Sequence, residues 1–493
     1  MKRSFSSVFV LGLLGGMAAL PACENSGGET GGSTSTTSTG TAGGGNGGGG
    51  STSSQGGGGD STTSATTGGG GNGGSTMTTV PTAKCPGDPT ETLTGEIGSD
   101  LTLTSDKCWL LKGIVFVNAG ATITIEPGAT VMGETSSTGT LVIEPGAKIV
   151  ADGTADLPIV FTSEKAKGSR APGDWGGLIV LGNAPINVPG GKAAVEGITG
   201  DGTMYGGDKA DDDSGILRYV RIEFSGVQLS PNNEINGLTL AGVGNKTVVD
   251  YVMVHDTLDD CFEFFGGTVN AKHLVCAFNQ DDGFDWDFGY SGKLQFLALA
   301  QDPIFEDDTN GFEADNDATA SLNMPISNPT IYNATLCGKN QPIDGPKQQF
   351  GMLLRRSTKG QIYNVVATGF EACIDIRDAA TDPKVSSSIC YGNTIHNIAY
   401  PEDAAGMGAF KDDDAGLDEV AWFNNAALKN AATDPGIKDC FAAEPDFTPV
   451  STLTTNAATP PNDGFFDNGA AYIGAFKSGE NWASGAWVSF DRK

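Results

Sequence analysis

One short pattern recurs at near-constant intervals in the middle of this chain, and it restricts the fold to architectures built from repeats. Between Asp259 and Asp317 the sequence reads DDCFEFFGG, then NQDDGFDWDFGY, then FEDDTNGFEADND. Phe262, Phe284 and Phe312 align at separations of 22 and 28 residues, each followed by an acid, Glu263, Asp285 and Glu313. Cys261, Gly283 and Gly311 precede the phenylalanines, and Asp260, Asp282 and Asn310 come before those. Self-similarity at that period marks one structural unit per repeat, stacked on its neighbours. Stacking places like positions above one another, so the motif predicts columns of carboxylates beside a column of buried phenylalanines.

The rest of the chain supplies the unit. ATITIEPGATVMG (Ala121 to Gly133) and TLVIEPGAKIVADGT (Thr140 to Thr154) alternate apolar and polar residues, turn at Pro-Gly, and alternate again. That is strand, tight turn, strand, with no helical periodicity. The rhythm continues through LRYVRIEFSG, NGLTLAGVG, VVDYVMVHD, VNAKHLVCAFN, GKLQFLALAQD, PTIYNATLCG and GQIYNVVATGF, the last ending at Phe370. Rung-like units outnumber hairpin signals, so an all-β, right-handed parallel β-helix over 85–400 is expected rather than a sandwich or propeller. Residues 401–493 lose the rhythm and are read as an irregular capping region packed on the helix.

The N-terminus carries an address. MKRSFSSVFVLGLLGGMAALPAC has a basic start, an apolar run from Val8 to Leu20 that is too short to span a bilayer, and small residues before Cys23. This reads as a signal peptide over 1–22. Leu20-Pro21-Ala22-Cys23 resembles the bacterial lipobox, which implies lipidation of Cys23. Glu24 in place of Asp implies sorting to the outer membrane of a Gram-negative cell. Residues 24 to 84 are almost entirely Gly, Ser and Thr, a composition that cannot offset its ordering entropy, so a disordered tether is expected. Its end-to-end distance would be about 45 Å.

Eight further cysteines, Cys85, Cys108, Cys261, Cys276, Cys337, Cys373, Cys390 and Cys440, are disulfide candidates in an exported chain. Proximity favours Cys85–Cys108 and Cys261–Cys276, and no C-x-x-C pair suggests zinc. The formal charge of −30 argues against nucleic acid as a partner, and nothing resembles an organic-cofactor site.

GDWGGLIVLGNAPIN (Gly173 to Asn187), LRYVRIEFSG, NEINGLTLAGVG, FFGGTVNAKHLV and DDGFDWDFGYSGKLQF resemble a group of exported bacterial β-helix proteins found in Bacteroidota and myxobacteria. The resemblance runs from about Cys85 onward and implies fold and export, with no activity attached. More distantly the chain is similar to the pectin-lyase-like superfamily, which includes polysaccharide lyases, glycoside hydrolases and non-enzymatic adhesins.

Three chemistries fit the acidic columns. Clustered oxygens suit calcium, with Asp259, Asp260, Glu263, Asp281, Asp282, Asp285, Asp287, Asp307, Asp308, Glu313 and Asp315 as candidate ligands. Carboxylates at rung spacing would otherwise repel and raise one another's pKa. Paired carboxylates on neighbouring rungs also fit glycosidase spacing, although the Gly-His-Gly and Arg-x-Lys of β-helix polygalacturonases are missing. A calcium-assisted lyase would need a base, for which Lys272, His273, His255, Arg355, Arg356 and Arg377 are candidates, without the Arg-x-x-Pro-x-x-Arg of pectate lyases. The best catalytic candidates are Asp281, Asp282, Asp285, Lys272 and His273. Turn capping by Asp and Asn is a fourth, purely structural role. Trp286 and Tyr290 are candidate sugar-stacking rings. Adjacent arginines on a strand face opposite sides, so one of Arg355 and Arg356 is expected to turn inward to an acid, from the columns or Asp375, or to lie in a groove. The sequence thus points to a surface lipoprotein presenting a calcium-binding face to a polysaccharide or envelope glycan. Its rivals are a calcium-dependent lyase or hydrolase, and a structural adhesion module.

Overall fold

The computed structural model describes Cys85 and residues 91–492, apart from 199–201, 231–232, 306–308, 342–348 and 402–412. Cys23, the signal segment and the Gly/Ser/Thr tether lie outside the described residues.

Among the described residues, twenty-three strands join one sheet whose every pairing is parallel, coiled as a right-handed β-helix. The sheet has three ladders. The first runs from Leu101–Leu103 and Thr122–Ile125 through the leading halves of Gly215–Glu223, Val248–His255, Asn270–Ala277, Lys293–Ala300, Thr330–Cys337 and Gln361–Thr368. The trailing halves of those same strands form the second ladder. The third carries Thr140–Ile143, Leu178–Leu181, Leu238–Ala241, Phe262–Phe265, Phe284–Asp287, Phe312–Ala314, Phe350–Leu354 and Ala372–Ile376. Alternation along each strand sends every second side chain inward, where they form one continuous core. Phe262 and Phe284 stack there with centroids 5.3 Å apart, and Phe312 meets Phe284 edge-on at 5.9 Å.

Between the first and second ladders each rung turns on a single residue in the left-handed region: Tyr219, Tyr251, His273, Phe296, Asn333 and Asn364, with φ of 49° to 65°. That conformation is costly for a non-glycine residue and needs compensation from its neighbours. Here the compensation comes from the stack itself. Tyr219 lies 4.5 Å from Tyr251, Tyr251 4.1 Å from His273, and His273 4.8 Å from Phe296, all near-parallel. Above them the column changes to amides, and Asn333 Oδ1 accepts from Gln295 Nε2 at 3.1 Å.

Residues 437–492 run along this corner as a strap. Trp487 packs edge-on against Tyr219 and Tyr251, Trp482 against His273, and Phe466 against Tyr332. Asn333 Nδ2 donates to the Tyr472 carbonyl at 2.6 Å, and Asn364 exchanges two 2.8 Å hydrogen bonds with Ala458. Arg492 ends the strap by donating to Asp256 and Asp302.

The disulfides are Cys85–Cys108, Cys261–Cys276, Cys337–Cys440 and Cys373–Cys390, so both pairs favoured by proximity form. Cys337–Cys440 closes a separation of 103 residues, the longest of the four and so the one that constrains the unfolded chain most, and ties the strap to a rung. The double variant Cys337→Ser, Cys440→Ser is expected to release the strap to limited proteolysis while the rungs resist. Cleavage no faster than in the parent protein would show that the aromatic contacts alone hold it. No helix among the described residues is long and apolar enough to cross a membrane.

Candidate metal centre

The third ladder carries the recurring acids on its outer face. Register pairs Thr239 with Glu263, Glu263 with Asp285, Asp285 with Glu313, and Glu313 with Leu353. Because Phe262, Phe284 and Phe312 point inward, the next residue on each strand points out, and the carboxylates form the expected column.

The residues leading into each strand have a mixed role. Asp260 Oδ1 accepts from the Asp282 backbone N–H at 2.8 Å, Asp282 Oδ1 accepts from Asn310 N–H, and Asn310 Oδ1 accepts from Phe350 N–H at 3.0 Å. Each side chain therefore staples the next rung, which is the turn-capping role carried out between rungs.

Two overlapping sets of carboxylates converge. Asp259, Asp260 and Asp281 form one, and Asp260, Glu263 and Asp285 the other, with one oxygen per residue lying within 4.8 Å of the others in its set. Such a set can bind a metal ion. Burial, the largest cause, pushes the carboxyls of Asp259, Asp260, Glu263, Asp282, Asp285 and Asp287 well above the usual carboxylate range. Like charge adds to it: Asp281 acts on Asp259 and Asp260, Glu313 on Asp282 and Asp285, and Asp315 on Asp287. Asp259 Oδ2, Asp285 Oδ1 and Asp287 Oδ2 are buried with no hydrogen-bond partner among the described residues. Buried oxygens in that state cost free energy unless a proton or a cation meets them.

Not every expected ligand joins these sets. Glu313 and Asp315 are instead paired with arginine: Arg355 reaches both, at 2.9 Å to Asp315 Oδ1, and Arg356 lies 2.9 Å from Asp315 Oδ2. Both adjacent arginines therefore serve the column, while Asp375 pairs with Arg377 at 2.7 Å. Asp282 is engaged in the rung staple, and Asp287 accepts from its neighbour Phe288 N–H at 2.5 Å, outside both sets. Asp307 and Asp308 lie outside the described residues.

The candidate base and stacking residues are placed differently from the sequence expectation. Lys272 and His273 sit on the first ladder and its corner, not beside the acids. His273 is held in the ring stack with Nδ1 2.8 Å from Asp250, and Lys272 lies over the Phe465 ring at 4.7 Å. His255 is fully buried between Asp256 at 3.0 Å and Glu223 at 3.5 Å. Trp286 and Tyr290 are 0 % exposed and cannot stack on a sugar. Trp286 donates to Thr358 Oγ1 at 3.1 Å, and Tyr290 donates its hydroxyl to the Val269 carbonyl at 2.9 Å while stacking on Phe264.

Two participants went unseen in the sequence. Glu196 comes from a segment that folds over the outer face of the third ladder around Ile179, Ile186, Tyr205 and Phe265, and Asn236 leads into the third-ladder strand Leu238–Ala241. Asn236 Nδ2 donates to Glu263 Oε2 and lies 3.4 Å from Glu196 Oε1. Burial, aided by the charge of Glu234, pushes the Glu196 carboxyl up to about 7. Glu196 lies outside the repeated motif, so no periodic signal marks it, whereas Asn236 stands two residues before Leu238, the register partner of Phe262, at the position that Asp260 holds on the next rung.

These features define a right-handed parallel β-helix with a recessed, carboxylate-lined site capable of holding a metal ion. The family described as pectate-lyase like beta helix domain matches residues 95–433, and the chain belongs to it. Neither the curated proteins nor the solved structures contain a match.

Proposed function

We propose that this protein is a calcium-dependent glycan-binding lipoprotein, held at the outer-membrane surface through Cys23 with the Gly/Ser/Thr segment as its tether. The supporting observation is the pair of buried carboxylate sets with unpartnered oxygens, set among cationic groups that are already committed. Hard oxygen donors without His or Cys suit calcium, which takes six to eight oxygens and tolerates irregular geometry. Three carboxylates leave positions for hydroxyl or carboxylate oxygens of a sugar. Membership of a pectate-lyase-like family favours a glycan as the ligand.

Binding is preferred to catalysis because a lyase needs a base within hydrogen-bond reach of its substrate. Arg355, Arg356 and Arg377 are engaged in ion pairs, and Lys272 and His273 belong to another ladder. The test is retention of the full chain on a panel of immobilised neutral and acidic polysaccharides, with calcium or with chelator, while products are assayed. Retention that requires calcium and falls at least about tenfold in Asp260→Asn, without product, is expected. Unsaturated or reducing-end products lost in the same variant would establish an enzyme instead. Failure of every glycan to retain the protein would leave the adhesion module.

A further inference from the structure

We infer that the acidic site takes two cations bridged by the Asp260 carboxylate, an inner one retained by the protein and an outer one that exchanges and meets the ligand. This rests on the cation-binding reading above and adds its stoichiometry and the division of labour between the ions.

The participating residues fall into two groups rather than one, and Asp260 is the member they share. Glu263 and Asp285 are register partners on neighbouring strands of the third ladder. Asp259 and Asp281 belong to the turns that lead into those strands. The donors thus reach Asp260 from two directions, the strand face and the turn. A carboxylate offers about four lone-pair sites on two oxygens, enough for Asp260 to keep its hydrogen bond from Asp282 N–H and still touch two ions.

Each set carries its own sign of a missing partner. In the turn set it is Oδ2 of Asp259, 7 % exposed, and in the strand set Oδ1 of Asp285, 3 % exposed. A single ion in either set leaves the orphaned oxygen of the other unmet, and two ions meet both. Charge leads to the same count. Asp259, Asp260, Glu263, Asp281 and Asp285 together carry more negative charge than one divalent ion offsets, in a site where burial makes the excess expensive.

The two positions differ in access. Glu263 and Asp285 are buried, whereas Asp281 is half-buried. The strand-set ion is therefore enclosed by protein. The turn-set ion faces solvent on the Asp281 side, where calcium's remaining coordination positions can take two neighbouring hydroxyls or a carboxylate of a sugar.

The test uses the full chain, stripped with chelator and titrated with calcium alone, read by native mass spectrometry and calorimetry. Two ions are expected, of which one survives desalting. Asp281→Asn should bind one ion that survives desalting, Glu263→Gln one ion that does not, and Asp260→Asn neither. Asn at 260 keeps an oxygen for the Asp282 N–H, and Asn at the half-buried position 281 leaves the core untouched, so loss of binding reads the site rather than the fold. One ion in the parent protein overturns the proposal and leaves the cation-binding reading standing. Two ions that Asp281→Asn and Glu263→Gln each abolish together also overturn it. No ion at all overturns both.

Discussion

Stripped of divalent cations, the protein is expected to melt at a higher temperature at pH 5 than at pH 8, and calcium is expected to restore the loss at pH 8. The acids of the site titrate higher in the folded chain than in the unfolded one, chiefly through burial. Between the ordinary carboxylate range and the raised native values, the folded state therefore holds more protons than the unfolded state. Stability then falls as pH rises, the reverse of the usual behaviour of ion-paired carboxylates. The window opens near pH 4, passes through about 7 where Glu196 titrates, and continues upward for the more deeply buried members. One pKa unit on one group corresponds to about 1.4 kcal/mol, and 1 kcal/mol moves the melting point of a large domain by about 2–4 °C. A fall of at least about 5 °C in chelator is thus expected, measured by scanning calorimetry with calcium and without. A melting point that rises from pH 5 to pH 8 in chelator would show that the fold does not raise the titration of these carboxylates.

The second large effect lies at the other end of the column. Arg355→Met is expected to destabilise the fold by about 3–5 kcal/mol, because it removes the central cation of a buried ion-pair network and leaves Glu313 without its arginine and Asp315 with Arg356 alone. Asp315 is fully buried, and burial already pushes its carboxyl upward against the pull of Arg355 and Arg356. Arg356→Met should cost less, since Arg355 still reaches both acids. Denaturant titration separates the cases. Equal losses for the two variants would mean that the arginines act as packing rather than as counter-charges. The ion pairs also divide the column by charge: Glu313 and Asp315 are matched by protein cations, whereas Glu263 and Asp285 are paired with none among the described residues.

The repeat was legible because it is periodic. The spacing of Phe262, Phe284 and Phe312 followed from one motif per rung, and alternation set Glu263, Asp285 and Glu313 on the opposite face. Alternation also bore on Trp286, which shares its parity with Phe284 and so points inward. The acidic neighbours that make it a candidate sugar-stacking ring lie on the other face. The place of His273 could not be read in this way. A single left-handed residue turns the chain there, so the inward positions step from Ala271 to Leu274 and then to Cys276, and simple alternation carried through the strand mis-sets the faces around His273. Glu196 was out of reach for a different reason. It arrives from a segment outside the repeat, and only the packing around Ile186 and Tyr205 brings it close to Asn236 of the repeat.

The strap has a bearing on how the molecule comes into being. Its aromatic residues lie against rungs formed from Tyr219 onward, yet Trp482, Trp487 and Arg492 are made long after those rungs are complete. A chain that emerges from its N-terminus can stack rung on rung as it appears, each new strand docking on the last. Throughout that interval the ring column stays bare, and Asp256 and Asp302 wait for their guanidinium. The growing protein is thus a stable scaffold with a sticky seam, closed only when the late-made segment lies down along it.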